Sequence, residues 1–210
     1  MRLEPPARRS SRIDLASSLC AKERRALAFF PDEFEKFLLS PEASLLRGDL
    51  DSWAAWRKVS RAEGEYLALA EKLFINHGEV RSLLDYRLKR SANFSGLKVL
   101  PAFPRVNDLH IHTDDIGSGF RILHGHSTWV LAERIGSNFD VSQNVTIGVD
   151  RSGKPTIGDN VIVRTGAVIT GGVTIGNNVV IGPNAFVSVD VPDDTVVLPA
   201  PIVMKPRRRR

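Results

Sequence analysis

Two periods in one chain predict an α+β fold, an N-terminal α-helical region followed by a left-handed parallel β-helix of hexapeptide repeats. Apolar residues recur at helical spacing as far as about residue 90, whereas beyond residue 130 isoleucine or valine returns every six residues with Gly and Asn between the returns. A helix of 3.6 residues per turn cannot hold a six-residue step on one face, and a flat strand cannot turn every six residues. A coil of three short strands does both.

The helical half is read from three segments. Pro31 to Leu39 sets Phe34, Phe37 and Leu38 on one face behind a proline suited to a first turn. Ser60 and Glu63 form a capping box ahead of the apolar face Tyr66, Leu67, Ala70, Leu73 and Phe74. A further helix is expected from Gly78 to about Leu88, with Val80, Leu83, Leu84 and Leu88 inward. Ser91 to Pro104, carrying Gly96, Pro101 and Pro104, reads as a connector. The resulting spans are 12–104 for the helical region and connector, 105–200 for the β-helix and 201–210 for a basic tail.

In the β-helix one ladder runs through Ile135, Val141 and Ile147, then Ile157, Val163, Ile169, Ile175, Ile181 and Val187. A second holds Phe139 and Val145, then Val161, Ala167, Val173, Val179 and Ala185. Both should point inward and stack from coil to coil. The corners Gly136-Ser-Asn138, Gly158-Asp-Asn160, Gly176-Asn-Asn178 and Gly182-Pro-Asn184 carry residues that tolerate unusual backbone angles. About four coils are expected if Ile116 and Ile122 open the helix. The period breaks once, between Ile147 and Ile157, where Gly148 to Pro155 should leave the coil as a polar loop of the kind that carries function on rigid scaffolds.

Composition excludes several classes. Of the net charge of +5, Lys205 and Arg207 to Arg210 supply five charges, so the body is neutral and the basicity belongs to a terminal tail. No nucleic-acid partner is expected on that distribution. The single cysteine, Cys20, cannot form an internal disulfide, which fits a reducing, cytoplasmic setting. The first residues lack the apolar stretch of a secretory signal, and no run reaches the roughly 20 apolar residues of an integral membrane segment.

The histidines that matter come in two pairs, His110-Ile-His112 and His124-Gly-His126, each spaced so that both rings could leave one face of a strand. Such spacing also suits zinc, as in a lyase of the γ-carbonic anhydrase type. Those enzymes use three histidines across a subunit boundary, two of them separated by four residues, and that spacing is absent here, so no metal is expected. His77 reads as an exposed or capping residue.

The segment Ile122-Leu-His-Gly-His-Ser-Thr-Trp-Val130, with Ile135-Gly-Ser-Asn, Ser142-Gln-Asn-Val-Thr-Ile-Gly148, Pro155-Thr-Ile-Gly-Asp-Asn-Val, Thr165-Gly-Ala167 and Val189-Asp-Val-Pro192, resembles serine acetyltransferase and its relatives among hexapeptide acetyltransferases. The likeness covers roughly residues 108 to 200, and a helical N-terminal domain also fits. It implies an acetyl-CoA-dependent O-acetyltransferase acting by direct transfer, with His124 on the family's catalytic histidine. Position by position it implies acetyl-CoA contacts at Gly148, Thr165, Gly166 and Pro183, in a groove between subunits of a homotrimer that could pair into a hexamer. Proline at 183 can offer only its carbonyl. His126 matches no functional position of the family. A non-catalytic hexapeptide scaffold or a metal lyase of the γ-carbonic anhydrase type remains the alternative of another class.

Three positions depart from the resemblance. Leu123 stands where the family has an aspartate before the catalytic histidine, His110 where it has the partner aspartate, and Gly153-Lys154-Pro155 where it has Arg-His-Pro. The carboxylate that should orient His124 has four candidates: Asp114, Asp115, Glu133 and Asp140. Serine needs opposite charges facing its ammonium and carboxylate, whereas a sugar needs neither and can lie on apolar surface. Leu123, Trp129 and Lys154 are therefore expected to touch the acceptor, with a saccharide hydroxyl preferred and serine as the alternative.

Overall fold

The computed structural model describes residues 32–60, 65–91 and 105–200. Helices α1 (Asp32–Leu39), α2 (Ser44–Arg57), α3 (Tyr66–Asn76) and α4 (Gly78–Lys89) form the first part, with a 3-10 turn at Pro41–Ala43 between α1 and α2. All the expected inward residues of α1 and α4 are buried, and so are Ala70, Leu73 and Phe74 of α3. The helix α2, which carries no clear helical signal in the sequence, adds Leu46, Leu50 and the fully buried Trp53 to that core. Glu63 of the capping box, Cys20, the basic tail and most of the connector lie outside the described residues. The α3 helix is capped at Glu65 without a side-chain bond.

Among the described residues, thirteen short strands then wind as a parallel β-solenoid. Sheet A stacks β1 (Leu109–Ile111), β3 (Thr128–Val130), β6 (Thr146–Gly148), β9 (Val168–Thr170) and β12 (Phe186–Val187). Sheet B stacks β4 (Arg134–Ile135), β7 (Thr156–Ile157) and β10 (Thr174–Ile175), extended by single bridges at Ile116 and Val191. Sheet C stacks β2 (Arg121–Leu123), β5 (Asp140–Ser142), β8 (Ile162–Val163), β11 (Val180–Ile181) and β13 (Val196–Val197). Every ladder residue named from the six-residue period is buried. Like stacks on like: Ile135 on Ile157 on Ile175, and Ile147 on Ile169 on Val187. Each such fully buried side chain contributes roughly 1.5–3 kcal/mol relative to exposure.

The coil count and the number of breaks both need correction. There are five coils rather than four, because β1 opens the solenoid and Ile111 and Val130 are ladder residues. Steps of five from Ile111 to Ile116 and of eight from Ile122 to Val130 hid them from a search for sixes. The eight-residue step is a further break, in which the corner after β2 holds two residues more than later corners, and Val130 to Ile135 is again a step of five.

The corners have a steric logic. Between sheets B and C, Gly136, Gly158 and Gly176 bring successive coils so close that a Cβ would lie 2.3–2.7 Å from the next coil's side chains or backbone. Two residues on, Asn138, Asn160, Asn178 and Asp194 all have φ of 56–57°. Their side chains join in a column, Asn138 Nδ2 to Asn160 Oδ1 at 2.9 Å, Asn160 to Asn178 at 3.0 Å and Asn178 to Asp194 at 2.9 Å. Asparagine tolerates this left-handed backbone better than most residues and here also hydrogen-bonds along the solenoid.

The helices cover the first coil, which would otherwise leave strand edges open. Trp53 Nε1 donates to the Phe120 carbonyl at 3.2 Å, and Arg87 donates to the carbonyls of Ile116 and Gly117 at 2.6 Å each. The same guanidinium forks onto the fully buried Asp49 at 2.7 and 3.1 Å, and Asp49 accepts the Phe120 N–H at 2.8 Å. Burial pushes the Asp49 carboxyl up to about 6 against the pull of Arg87. His77 joins α3 to α4 without a side-chain cap and lies 5.8 Å from the Trp53 ring. No helix among the described residues is long and apolar enough to cross a membrane.

Candidate active site

His124 is not on a strand, so the two rings of His124-Gly-His126 do not share a strand face as expected. It follows β2 at the corner where the chain passes from sheet C to sheet A, with φ of 66°. The Gly125 N–H donates to the Leu123 carbonyl at 2.8 Å, so His124 is the middle residue of a γ-turn of the rarer, strained kind with positive φ. Gly125 and Ser127 also have positive φ, 62° and 50°. A Cβ on Gly125 would lie 2.6 Å from Ile122 Cγ2. At the other described corners of the solenoid the left-handed residues are Asn, Asp or Gly. A histidine there carries strain that the surrounding fold must hold, a feature concentrated at functional sites.

The turn is pinned from below. The His126 carbonyl accepts the Asn144 N–H at 2.8 Å and the Thr128 hydroxyl at 3.2 Å, and Thr128 is buried. His126 thus holds the turn through its backbone carbonyl.

None of the four candidate carboxylates orients His124 within the subunit. Asp114 pairs with Arg90 at 3.0 Å and Asp115 with Arg134 at 3.1 Å. Glu133 faces Lys154 at 3.9 Å, and Asp140 forks onto Arg121 with two bonds of 2.6 Å. Among the described residues the exposed imidazole of His124 has no hydrogen-bond partner. His110 does not reach it either. Its ring and that of His112 lie against Trp129, at 4.8 and 4.6 Å between centroids.

The residues expected to hold acetyl-CoA divide between two edges of the prism. Thr165, Gly166 and Pro183 occupy the same C-to-A edge as His124, in the corners after β8 and β11. Coils rise about 4.8 Å each, so Thr165 and Pro183 stand roughly 10 and 14 Å along that edge from the turn. Gly166 takes the left-handed place, with φ of 72°, and a Cβ there would lie 2.2 Å from Asn184 Oδ1. The Thr165 carbonyl accepts the Asn184 N–H at 2.9 Å, and the Gly166 N–H donates to Gln143 at 3.3 Å. Among the described residues the Thr165 N–H and the Gly166 carbonyl are left unused by the ladder.

Gly148 and Lys154 sit instead at the A-to-B edge, across the width of sheet A. The segment expected as a loop there is a tight turn. Asp150 and Gly153 exchange both backbone bonds, at 3.2 and 3.3 Å. Ser152 donates its N–H and hydroxyl to Asp150 Oδ1 at 2.6 Å each, holding that carboxyl below its usual range. The Ser152 hydroxyl also accepts the Gly172 N–H at 2.8 Å, tying the turn to the next coil. Leu123 and Trp129 look outward from sheets C and A on either side of the His124 turn. Among the described residues no three His, Cys, Asp or Glu side chains are grouped to hold a metal ion.

Known proteins supply the comparison for this arrangement. The family model for the bacterial transferase hexapeptide (six repeats) matches residues 154–188. No curated protein matches the sequence. Among solved structures, serine acetyltransferase isoform 3 of Entamoeba histolytica in complex with cysteine is 21% identical, with a TM-score of 0.55 over 89% of this chain. This chain spans 66% of that one, just under two thirds of its length. Serine acetyltransferase of Neisseria gonorrhoeae in complex with serine is 24% identical over 90% of this chain and 80% of its own, with a TM-score of 0.58. A serine acetyltransferase in complex with CoA is 18% identical over 82% of this chain and 71% of its own, with a TM-score of 0.57. The chain thus has the fold of these serine acetyltransferases, a helical region followed by a hexapeptide-repeat β-solenoid.

Proposed function

We propose that the protein is an acetyl-CoA-dependent O-acetyltransferase with His124 as general base. The observation that carries this is the strained turn holding His124 at the head of the edge where Thr165, Gly166 and Pro183 line up. A pantetheine arm laid along that edge would meet the Thr165 N–H and the Gly166 carbonyl and bring its thioester toward the imidazole. His124 takes the acceptor's hydroxyl proton as the oxygen attacks the thioester carbonyl. The tetrahedral intermediate then expels the thiolate, to which the imidazolium returns the proton. Such chemistry needs no metal, and a donor of this kind suits a cytoplasmic setting.

The site is proposed to form between copies in a homotrimer. His124 and Lys154 lie on different edges of one prism, so a single subunit cannot bring them together. A head-to-tail contact that sets one copy's A-to-B edge against the next copy's C-to-A edge closes as a three-fold ring with equal sites. It would also bring a second subunit's charged groups to the unpartnered imidazole. Light scattering showing a stable monomer at micromolar concentration would refute this assembly.

Two acceptors stand within this reading. The solved relatives support L-serine better than a sugar, since they are serine acetyltransferases and one holds serine. A saccharide hydroxyl is favoured by one observation on this chain, that Leu123 and the ring cluster of His110, His112 and Trp129 flank the base where serine's ammonium would need a carboxylate. Thiol release from acetyl-CoA, measured with L-serine and with a panel of sugars and nucleotide sugars, separates them. Saturable turnover of L-serine alone establishes the first, turnover of a sugar alone the second, and no thiol release with any acceptor rejects the acetyltransferase.

A further inference from the structure

A cleft beside the His124 turn has a lining that acetyl transfer to serine leaves without a use. It lies between α4 and the chain entering β1, and its volume is about 590 Å³, within the range of pockets that enclose a drug-sized ligand. Ser82, Asp85, Arg105, Asn107 and Asp108 line it, and His110 and His112 continue the lining. Each cation of its lining already has a carboxylate partner: Asp85 pairs with Lys89 at 2.7 Å and with Arg105, and Arg90 pairs with Asp114 at 3.0 Å. What remains is a surface of closely spaced donors and acceptors.

The imidazoles at its rim lie against Trp129, which keeps 41% of its surface exposed. The cleft and the His124 turn share one stretch of chain. The Thr128 N–H donates to the Asp108 carbonyl at 3.0 Å, and a Cβ on Gly125 would lie 3.4 Å from Val106 and 3.5 Å from Leu109. Mixed donors and acceptors beside an exposed aromatic wall suit a ring that presents hydroxyls at its edge and C–H groups on its face.

We infer that the cleft and the Trp129 wall bind a saccharide of more than one ring, one ring lying on Trp129 while another presents its hydroxyl at His124. This rests on the acetyltransferase reading with a saccharide acceptor. The test is saturation-transfer NMR on the full chain with neutral di- to tetrasaccharides, with acetyl-CoA binding measured in parallel. At least one saccharide should receive saturation at its ring C–H protons. Trp129→Ala should weaken its binding at least tenfold, Trp129→Phe should restore most of it, and acetyl-CoA should bind equally to all three proteins. Equal saccharide binding by Trp129→Ala overturns the inference. So does a protein that binds acetyl-CoA and acetylates L-serine but binds no saccharide, and in that case the acetyltransferase stands. Loss of acetyl-CoA binding by the unaltered protein removes the inference together with the reading beneath it.

Discussion

Two edges of the same solenoid are built from the same left-handed backbone and are finished differently. Along the B-to-C edge the residues with positive φ are asparagines and an aspartate whose side chains bond to one another from coil to coil. Along the C-to-A edge the corresponding corners hold His124, Asn144, Gly166 and Asn184, and among the described residues no side-chain column joins them. The first edge satisfies itself; the second leaves backbone groups and one imidazole facing outward. Repetition therefore builds most of the solenoid, and where it departs from its pattern on the C-to-A edge the corner holds a histidine in place of Asn or Gly.

Breaking that contrast should give its largest effect at His124. Replacing it with alanine should cut turnover by roughly 10² to 10⁴, the worth of a general base, while acetyl-CoA affinity is kept. If His126→Ala is the damaging change instead, the base has been misassigned. The next largest effect belongs to the buried pair that seats the helices on the first coil. Asp49→Ala strands the Arg87 charge and should cost about 3–5 kcal/mol in denaturant unfolding.

The same carboxyl predicts a pH dependence. Because its folded value is raised to about 6 from 3.8, the folded state binds the proton more tightly than the unfolded chain. Its contribution to stability is therefore fully present below about pH 3.8 and falls as pH rises toward 6. Asp49→Asn should remove that slope from stability measured between those values. An unchanged slope would mean that another group titrates.

On the B-to-C edge, Asn160→Ala should cost about 2–4 kcal/mol, from two lost hydrogen bonds and a left-handed backbone without asparagine's tolerance. Asn160→Gly should recover the backbone share and cost less. Neither change should alter acetyl-CoA affinity, and a change in affinity would erase the distinction between the edges.

The sequence made most of this visible because stacking is repetitive. Ladder residues recur every six positions and stack on like residues of the next coil three steps on, so the ladder from Ile135 to Val187 is legible in the sequence itself. The first coil escaped because its steps of five and eight obey sheet register but no fixed period. That same irregularity holds the His124 turn, whose γ-turn no periodic pattern encodes. The salt bridges of Asp114, Asp115, Glu133 and Asp140 were invisible for a different reason. All four join side chains brought together by winding or by helix docking across 19 to 24 residues, and no local pattern encodes that.

The most direct test is the stability of the protein with and without acetyl-CoA, compared with Gly166→Val and Asn160→Gly. Acetyl-CoA at 100 times its dissociation constant should stabilise the unaltered protein and Asn160→Gly by about 2.7 kcal/mol. Gly166→Val, which puts a β-branched side chain at φ of 72° on the C-to-A edge, should lose most of that gain at the same concentration. No stabilisation of the unaltered protein, or equal stabilisation of Gly166→Val, would contradict the assignment of that edge to acetyl-CoA.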